Sequence, residues 1–169
     1  MPHYGDYQNA IYLAGLRGIV PPLPVDFASL EARACAALPP PVRDYVQGGC
    51  GDEFTQANNA EAFHHWGMIP RMMVDAGTRD LSIELFGLTL PTPLFMSPIG
   101  VIGICTQDGH GDLAAARASV ATSVPLVAST LSNDPLETVA ETLGDTPGFF
   151  QLYTPVSYTH LTLPTKRIV

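Results

Sequence analysis

The sequence predicts an α/β protein in which helices cover a parallel sheet. Three short apolar runs, residues 94–96, Leu126–Ala128 and residues 148–152, show no alternation of apolar and polar side chains. Two segments with helical spacing of apolar residues separate these runs. Unalternated strands that take turns with helices are typical of parallel sheets buried on both faces. The periodicity leaves open whether the sheet stays open or closes into a barrel.

The segment before this sheet is predicted to form a helical block. Asp26 is a good N-cap for a helix whose apolar residues recur at helical spacing until the prolines at 39–41 end it. Residues 42–47 predict a short second helix. Asp52 is expected to cap a third helix, with an acidic residue in its first turn, that runs to about Phe63.

Between the block and the sheet, alternating apolar residues over 81–90 with Gly87 at the turn predict a small hairpin. The two helices of the α/β part are predicted from their apolar faces. One face consists of Leu113, Ala116, Val120 and Val124, and the other consists of Leu136, Val139, Ala140 and Leu143.

Composition excludes several classes of function. The chain has 169 residues, with 8 basic against 16 acidic side chains and a net charge of −8, which argues against a nucleic-acid partner. The three cysteines, an odd number without C-x-x-C spacing, suit a reduced cytoplasmic protein without a metal site. We find no secretory signal, and the longest apolar stretch, residues 94–104, is too short to cross a membrane.

Polar or conformationally special residues follow each of the three predicted strands. They are Ser97 and Pro98, then Ser129 and Thr130, then Gln151 and Tyr153. In parallel α/β proteins, ligands bind at the carboxyl ends of the strands. For any single one of these residues, capping the next helix is an equal alternative, but three successive strands that end this way favour a binding site.

Several motifs together resemble those of the FMN-dependent L-2-hydroxy acid oxidases and dehydrogenases. They are residues 44–55, Pro70 with Arg71, residues 97–100 and residues 150–153. The likeness runs from about Tyr4 to Pro155, so residues 1–155 are expected to form part of one such domain. Within the family, the chain is most similar to the lactate 2-monooxygenase type, which shares the opening residues 4–7 and the run 107–112.

The resemblance implies that the chain is the N-terminal portion of a (β/α)8 barrel: the helical block, the hairpin and the first three barrel strands. The cofactor implied is FMN, at the carboxyl ends of the strands. Pro98, Ile99 and Gly100 would place their backbone against the flavin, and Ser129 and Gln151 would form hydrogen bonds to its edge.

The resemblance also implies the reaction, in which a hydride moves from a small L-2-hydroxy acid such as lactate to the flavin. Tyr45 would bind the substrate carboxylate, and Tyr153 would lie beside the substrate α-oxygen as a catalytic residue. O2 would reoxidise the flavin, and the full-length protein would form a homo-oligomer. Gly100, where many relatives have alanine, and Leu131, where glycolate-oxidising relatives have tryptophan, favour the monooxygenase type over an oxidase or a dehydrogenase.

Histidine is the family's catalytic base, but its motif lies in later barrel strands that this sequence lacks. His110 is the alternative candidate, and we interpret it as a solvated histidine at a helix start. We interpret His64, His65 and Trp66 as a helix end that packs on the barrel, and we do not expect them to bind a ligand.

The last residues are expected to be non-native. The end of a common transposase-type sequencing adapter can encode Val156 to Thr165, and its continuation can supply the remaining residues and a stop codon. A natural, divergent C-terminus is the alternative for residues 156–169. With three barrel strands of eight and no base, the chain alone is expected to be an inactive fragment with exposed sheet edges.

Overall fold

The computed structural model describes residues 5–75 and 77–153. The chain forms two compact units, Met1–Leu81 and Ser82–Val169, which are taken one at a time below. The predicted non-native segment, residues 156–169, lies outside the described residues.

The first unit is helical, as predicted. Its elements are α1 (Asp6–Gly15), α2 (Phe27–Ala37), α3 (Pro40–Gln47), α4 (Phe54–Glu61) and a 3-10 helix (Ala62–His65). Asp26 caps α2 as expected, because its Oδ1 accepts a hydrogen bond of 2.8 Å from the backbone N–H of Ser29. We did not predict α1, whose N-cap, Gly5, has no side chain to signal a helix start.

Two helix starts in this unit differ from the prediction. Helix α3 begins at Pro40 instead of residue 42, since proline suits a first turn whose N–H groups have no helical partner. The expectation that Asp52 caps the third helix is wrong. The N-cap of α4 is Glu53, which is in the left-handed region with φ of 61°, and its Oε1 accepts a hydrogen bond of 2.9 Å from the N–H of Gly49.

The second unit opens with the predicted hairpin. Strands β1 (Ile83–Leu85) and β2 (Leu88–Leu90) are antiparallel, and Leu85 pairs with Leu88. Phe86 and Gly87 both have positive φ, 53° and 78°, so the two-residue turn has the left-handed backbone that matches the twist of a hairpin.

The parallel part of the sheet is shorter than predicted. Strand β3 (Leu126–Ala128) pairs in parallel with β4 (Gly148–Phe150), which ends two residues before the predicted end. The predicted strand at 94–96 is reduced to one parallel bridge between Met96 and Leu126. Pro98, two residues beyond Met96, lacks the N–H that would extend this pairing, and on the other side the N–H of Leu94 instead donates a hydrogen bond of 3.3 Å to the Thr92 hydroxyl.

Two helices pack on this sheet and form the core. Helix α5 (Gly111–Thr122) precedes β3, and α6 (Leu136–Leu143) lies between β3 and β4. The buried core consists of Ala116, Leu126, Val139 and Leu143, with Met96 and Leu113 packed against it. Within the part of the chain that the structure describes, no helix has both the length and the apolar character needed to cross a membrane.

The buried face of α5 differs in part from the predicted one. Val120 was expected in the core but is 45% exposed, whereas the neighbouring Ser119 is fully buried. The Ser119 hydroxyl donates a hydrogen bond of 2.7 Å to the backbone oxygen of Val124, beyond the end of the helix. A small side chain whose polar group is satisfied therefore takes the core position, which an apolar pattern does not reveal.

Candidate functional site

The candidate site is formed by the segments that follow Met96 and β3. The backbone N–H of Val101 donates a hydrogen bond of 2.9 Å to the backbone oxygen of Leu131. The two segments are thus joined directly. Val101 lies five residues after Met96, and Leu131 lies five residues after Leu126, the bridge partner of Met96. This is the edge of the sheet at which the sequence predicted a ligand.

Gly100 lies at the centre of this contact. A Cβ atom built on residue 100 would lie 3.3 Å from the Cβ of Leu131 and 3.7 Å from the Oγ of Ser129. Alanine there would press on Leu131, whereas glycine leaves the space open. The backbone of this loop is therefore accessible to a ligand in a way that a larger residue would reduce.

Ser129 is buried, with 4% of its surface exposed. Its Oγ accepts a hydrogen bond of 3.1 Å from the backbone N–H of Leu131. Among the described residues, none accepts a hydrogen bond from the Ser129 hydroxyl. Because buried polar groups are nearly always paired, this spare donor suits a polar ligand such as the edge of a flavin.

Thr130 joins the ends of β3 and β4, a role that we did not predict. Its hydroxyl donates to the backbone oxygen of Gln151 and accepts a hydrogen bond of 3.2 Å from the N–H of Tyr153. The N–H of Gln151 donates to the backbone oxygen of Ala128 at 2.9 Å, which continues the parallel pairing. Gln151 and Tyr153 are thus held beside the end of β3, with exposed side chains.

A cavity of about 330 Å³ opens beside these loops, a volume in the range of small-molecule pockets. Ser97, Ile99 and Ser129 line it on the loop side, Asp112 lines it at the start of α5, and the rest of its wall is mainly apolar. Of the residues predicted to bind the flavin, Ile99 and Ser129 line this cavity, whereas Pro98, Gly100 and Gln151 do not.

Tyr45 belongs to the first unit, on α3, and 69% of its surface is exposed. The other predicted site residues belong to the second unit. Because each unit is described separately, the expected role of Tyr45 toward the substrate stays a prediction. His64 and His65 lie on the 3-10 helix, in agreement with a helix end, and Trp66 directly after it is largely exposed.

His110 is more than a solvated histidine. Its Nδ1 lies 2.6 Å from Oδ1 of Asp134, whose side chain is buried, while the imidazole itself is 57% exposed. This hydrogen bond and the charge of Asp134 raise the pKa of His110 above its ordinary value of 6.5, with a smaller raising contribution from Asp108 and opposing effects of desolvation and of Arg117. The ring therefore stays protonated to a higher pH than a free histidine.

Asp108 also contacts this histidine, through the backbone. Its Oδ1 accepts a hydrogen bond of 3.0 Å from the N–H of His110, and this bond lowers the pKa of the Asp108 carboxyl. Within residues 5–75 and 77–153, no three His, Cys, Asp or Glu side chains come close enough together to hold a metal ion.

The sequence is similar to those of known proteins. Residues 34–163 match the model of the FMN-dependent dehydrogenase family. The chain is 39% identical to an L-lactate oxidase of Lysinibacillus sphaericus over 78% of this chain and 34% of that protein. It is 38% identical to the (S)-mandelate dehydrogenase of Pseudomonas putida over 69% of this chain and 29% of that protein.

Among solved structures, a lactate oxidase of Pediococcus acidilactici has a similar fold. It superimposes with a TM-score of 0.71 at 32% identity, over 80% of this chain and 37% of that one. The chain thus spans about a third of the length of the relatives it matches.

Proposed function

The chain belongs to the FMN-dependent dehydrogenase family, with the fold of part of a (β/α)8 barrel, and from this premise we propose that it provides the flavin-facing loops of an enzyme that oxidises a small L-2-hydroxy acid. The observation that carries the proposal is the position of Gly100 at the strand ends, where an added Cβ would press on Leu131 and lie 3.7 Å from the Ser129 hydroxyl. It places an open backbone beside a buried hydroxyl with a spare proton. A flat, polar-edged ring needs both.

FMN, when bound, accepts a hydride from the α-carbon of the substrate. We propose that the backbone of Pro98, Ile99 and Gly100 contacts the flavin, and that Ser129 and Gln151 form hydrogen bonds to its edge. The fit is supported by the buried Ser129 hydroxyl, which donates to no described residue, and by the space that a Cβ at residue 100 would fill.

Two tyrosines are proposed to act on the substrate. The Tyr45 hydroxyl would donate to the substrate carboxylate, and the Tyr153 hydroxyl would lie beside the substrate α-oxygen as the catalytic residue of this chain. A neutral phenol suits both tasks, because it donates a hydrogen bond to an anion without adding a charge. The catalytic base is expected from barrel strands outside this sequence.

The finer proposal is a lactate 2-monooxygenase, with O2 as acceptor, which converts lactate and O2 into acetate, CO2 and water. Gly100 supports it, because a residue without a Cβ leaves more room near the proposed flavin for O2 or a retained product than the alanine of many relatives. Two alternatives in the same family are an oxidase, which would release pyruvate and H2O2, and a dehydrogenase, which would pass electrons to another acceptor.

Product analysis of the complete enzyme separates these alternatives. We define the complete enzyme as the protein obtained by following the reading frame past Pro155 in its source DNA. With L-lactate, the monooxygenase proposal requires acetate and little H2O2, and stoichiometric pyruvate and H2O2 would reject it. Gly100→Ala should raise the share of H2O2, because the added Cβ occupies the space beside Leu131 and Ser129. Gly67→Ala, at a position with no atom near the added Cβ, is the matched control.

The 169-residue chain alone is proposed to be an inactive part of that enzyme. Titrating it with FMN and following flavin absorbance with and without lactate tests this directly. Strong binding with lactate-dependent bleaching would overturn the proposal. Sequencing the source locus tests whether residues 156–169 are adapter-derived, since an intact gene that encodes the same residues would contradict that origin.

The remaining proposals concern the complete enzyme in its cell. We propose a cytoplasmic homo-oligomer with no membrane or nucleic-acid partner. Cell fractionation and sedimentation of the complete enzyme test these points, and recovery of the activity in the membrane fraction would contradict the first.

A further inference from the structure

Two buried aspartates hold the start of α5 and the segment before α6 together. Oδ2 of Asp112, in the first turn of α5, accepts hydrogen bonds from the N–H groups of Asn133, at 2.8 Å, and of Asp134, at 3.3 Å. Oδ2 of Asp134 in turn accepts a hydrogen bond of 3.3 Å from the N–H of Leu113. Each carboxylate thus binds the backbone of the element that carries the other.

Both carboxylates are buried, which is unfavourable for a charged group unless hydrogen bonds compensate for the lost water. Here Oδ2 of each carboxylate accepts hydrogen bonds from backbone N–H groups, and Oδ1 of Asp134 contacts the ring of His110. The N-terminus of α5, a helix of 12 residues, adds a favourable dipole for both negative charges. The arrangement is therefore stable, and it orders the backbone of residues 131–134.

This ordered segment contacts the loop that carries Gly100. Oδ1 of Asn133 accepts a hydrogen bond of 3.1 Å from the N–H of Gly103, and the backbone oxygen of Leu131 accepts one of 2.9 Å from Val101. Val101 has φ of 56°, a left-handed conformation that is strongly unfavourable for a β-branched residue. Such a conformation persists only where neighbouring contacts enforce it.

We propose that Asp112 and Asp134 are positioning residues, which hold the segment after β3 against the loop after Met96 so that Gly100 and Ser129 keep the arrangement that receives the flavin. The proposal rests on the proposed function, because it assumes that these loops bind FMN. Neither aspartate contacts the flavin in this proposal. They act through Leu131, Asn133 and the strained Val101.

The test uses the complete enzyme with Asp112→Asn and Asp134→Asn. Asp145→Asn is the matched control, because Asp145 is an exposed aspartate of the same unit, outside the two loops. FMN affinity is measured by flavin fluorescence, and the visible spectrum and reduction potential of the bound flavin are recorded. We expect about tenfold weaker FMN binding in each variant, the fold-change for losing one hydrogen bond to a charged group, and an altered flavin spectrum and potential.

Asn133→Ala keeps the experiment decisive if the aspartate variants do not fold. Asn133 is exposed, and its replacement removes only the hydrogen bond to Gly103, so the weaker binding and altered spectrum should persist to a smaller extent. In the apo form, amide exchange of residues 129–134 should be faster in all three variants than in Asp145→Asn.

The outcomes separate the two proposals. If the wild type binds no FMN, the proposed function fails. If the wild type binds FMN and oxidises lactate while the folded variants match Asp145→Asn in affinity, spectrum and potential, the positioning role is wrong and the proposed function stands.

Discussion

Gly103→Ala should destabilise the second unit, because residue 103 is enclosed by the backbone of Gly109 and the side chain of Asn133. A Cβ there would lie 2.4 Å from the backbone oxygen of Gly109 and 3.0 Å from the Cγ and the Oδ1 of Asn133. Relieving such an overlap costs about 1–3 kcal/mol. Moving Asn133 also weakens its hydrogen bond of 3.1 Å from the N–H of residue 103, which adds about 0.5–1.5 kcal/mol. We therefore expect a loss of about 3 kcal/mol in the free energy of unfolding.

Urea-induced unfolding followed by circular dichroism measures this loss. With a slope of about 2 kcal/mol per molar urea, the midpoint should fall by about 1.5 M. Gly67→Ala is the control, because no atom lies within 4 Å of its added Cβ, and its free energy of unfolding should change by less than about 0.5 kcal/mol. If both variants unfold at the same urea concentration, the enclosure of Gly103 does not exist as described.

Three further predictions follow from the same unit. Asp134→Asn should return the pKa of His110 toward 6.5 in an NMR titration. Because the pKa of His110 is raised in the folded state, the stabilisation from this contact is complete below pH 6.5 and is lost as the pH rises through the folded pKa. If the effect of His110→Gln on the free energy of unfolding does not depend on pH, this linkage is wrong. Ser119→Ala should lower the urea midpoint, since it removes the donor to the partly buried backbone oxygen of Val124 at a cost of about 0.5–1.5 kcal/mol. Ser123→Gly should raise the free energy of unfolding by up to about 1 kcal/mol, and the urea midpoint with it, because Ser123 ends α5 with φ of 57°. A lowered midpoint would show that the Ser123 hydroxyl contributes more than glycine's freedom at this φ.

The elements that local chemistry determines were predictable from the sequence. Asp26 before a periodic apolar run caps α2, and the turn at Gly87 joins the two strands of the predicted hairpin. The cap of α4 was not predictable by the same rule, because two adjacent acidic residues compete there. Glu53 takes the N-cap position with a left-handed backbone and no side-chain hydrogen bond to the helix, and its carboxylate instead accepts a hydrogen bond from the N–H of Gly49, four residues earlier.

The first parallel strand shows a different limit. Residues 94–96 are apolar enough for a strand, yet only Met96 forms a bridge, because Pro98 has no N–H to donate and the N–H of Leu94 binds the Thr92 hydroxyl instead. Hydrophobic runs predict that a segment is buried beside its neighbours. They do not predict how many of its backbone groups pair.

The candidate site was also predictable only in part. Ser129 lies at the strand ends, where the alternation of strands and helices predicted a ligand, so its place followed from fold class. Gly100 and Leu131, which lie beside it, were indicated only by the family resemblance. The contacts of the aspartates behind them followed from neither. Asp134, directly before Pro135 and Leu136, looks locally like the cap of α6, but its carboxylate binds the N-terminus of α5 instead, at residue 113. That choice depends on a contact across 21 residues, which forms only when α5 and α6 pack beside each other, and so no local pattern contains it. A residue that positions others is visible only through the tertiary contacts it makes. Substitutions at Asp112 and Asp134, which bind each other's backbone, therefore test directly how these loops are held.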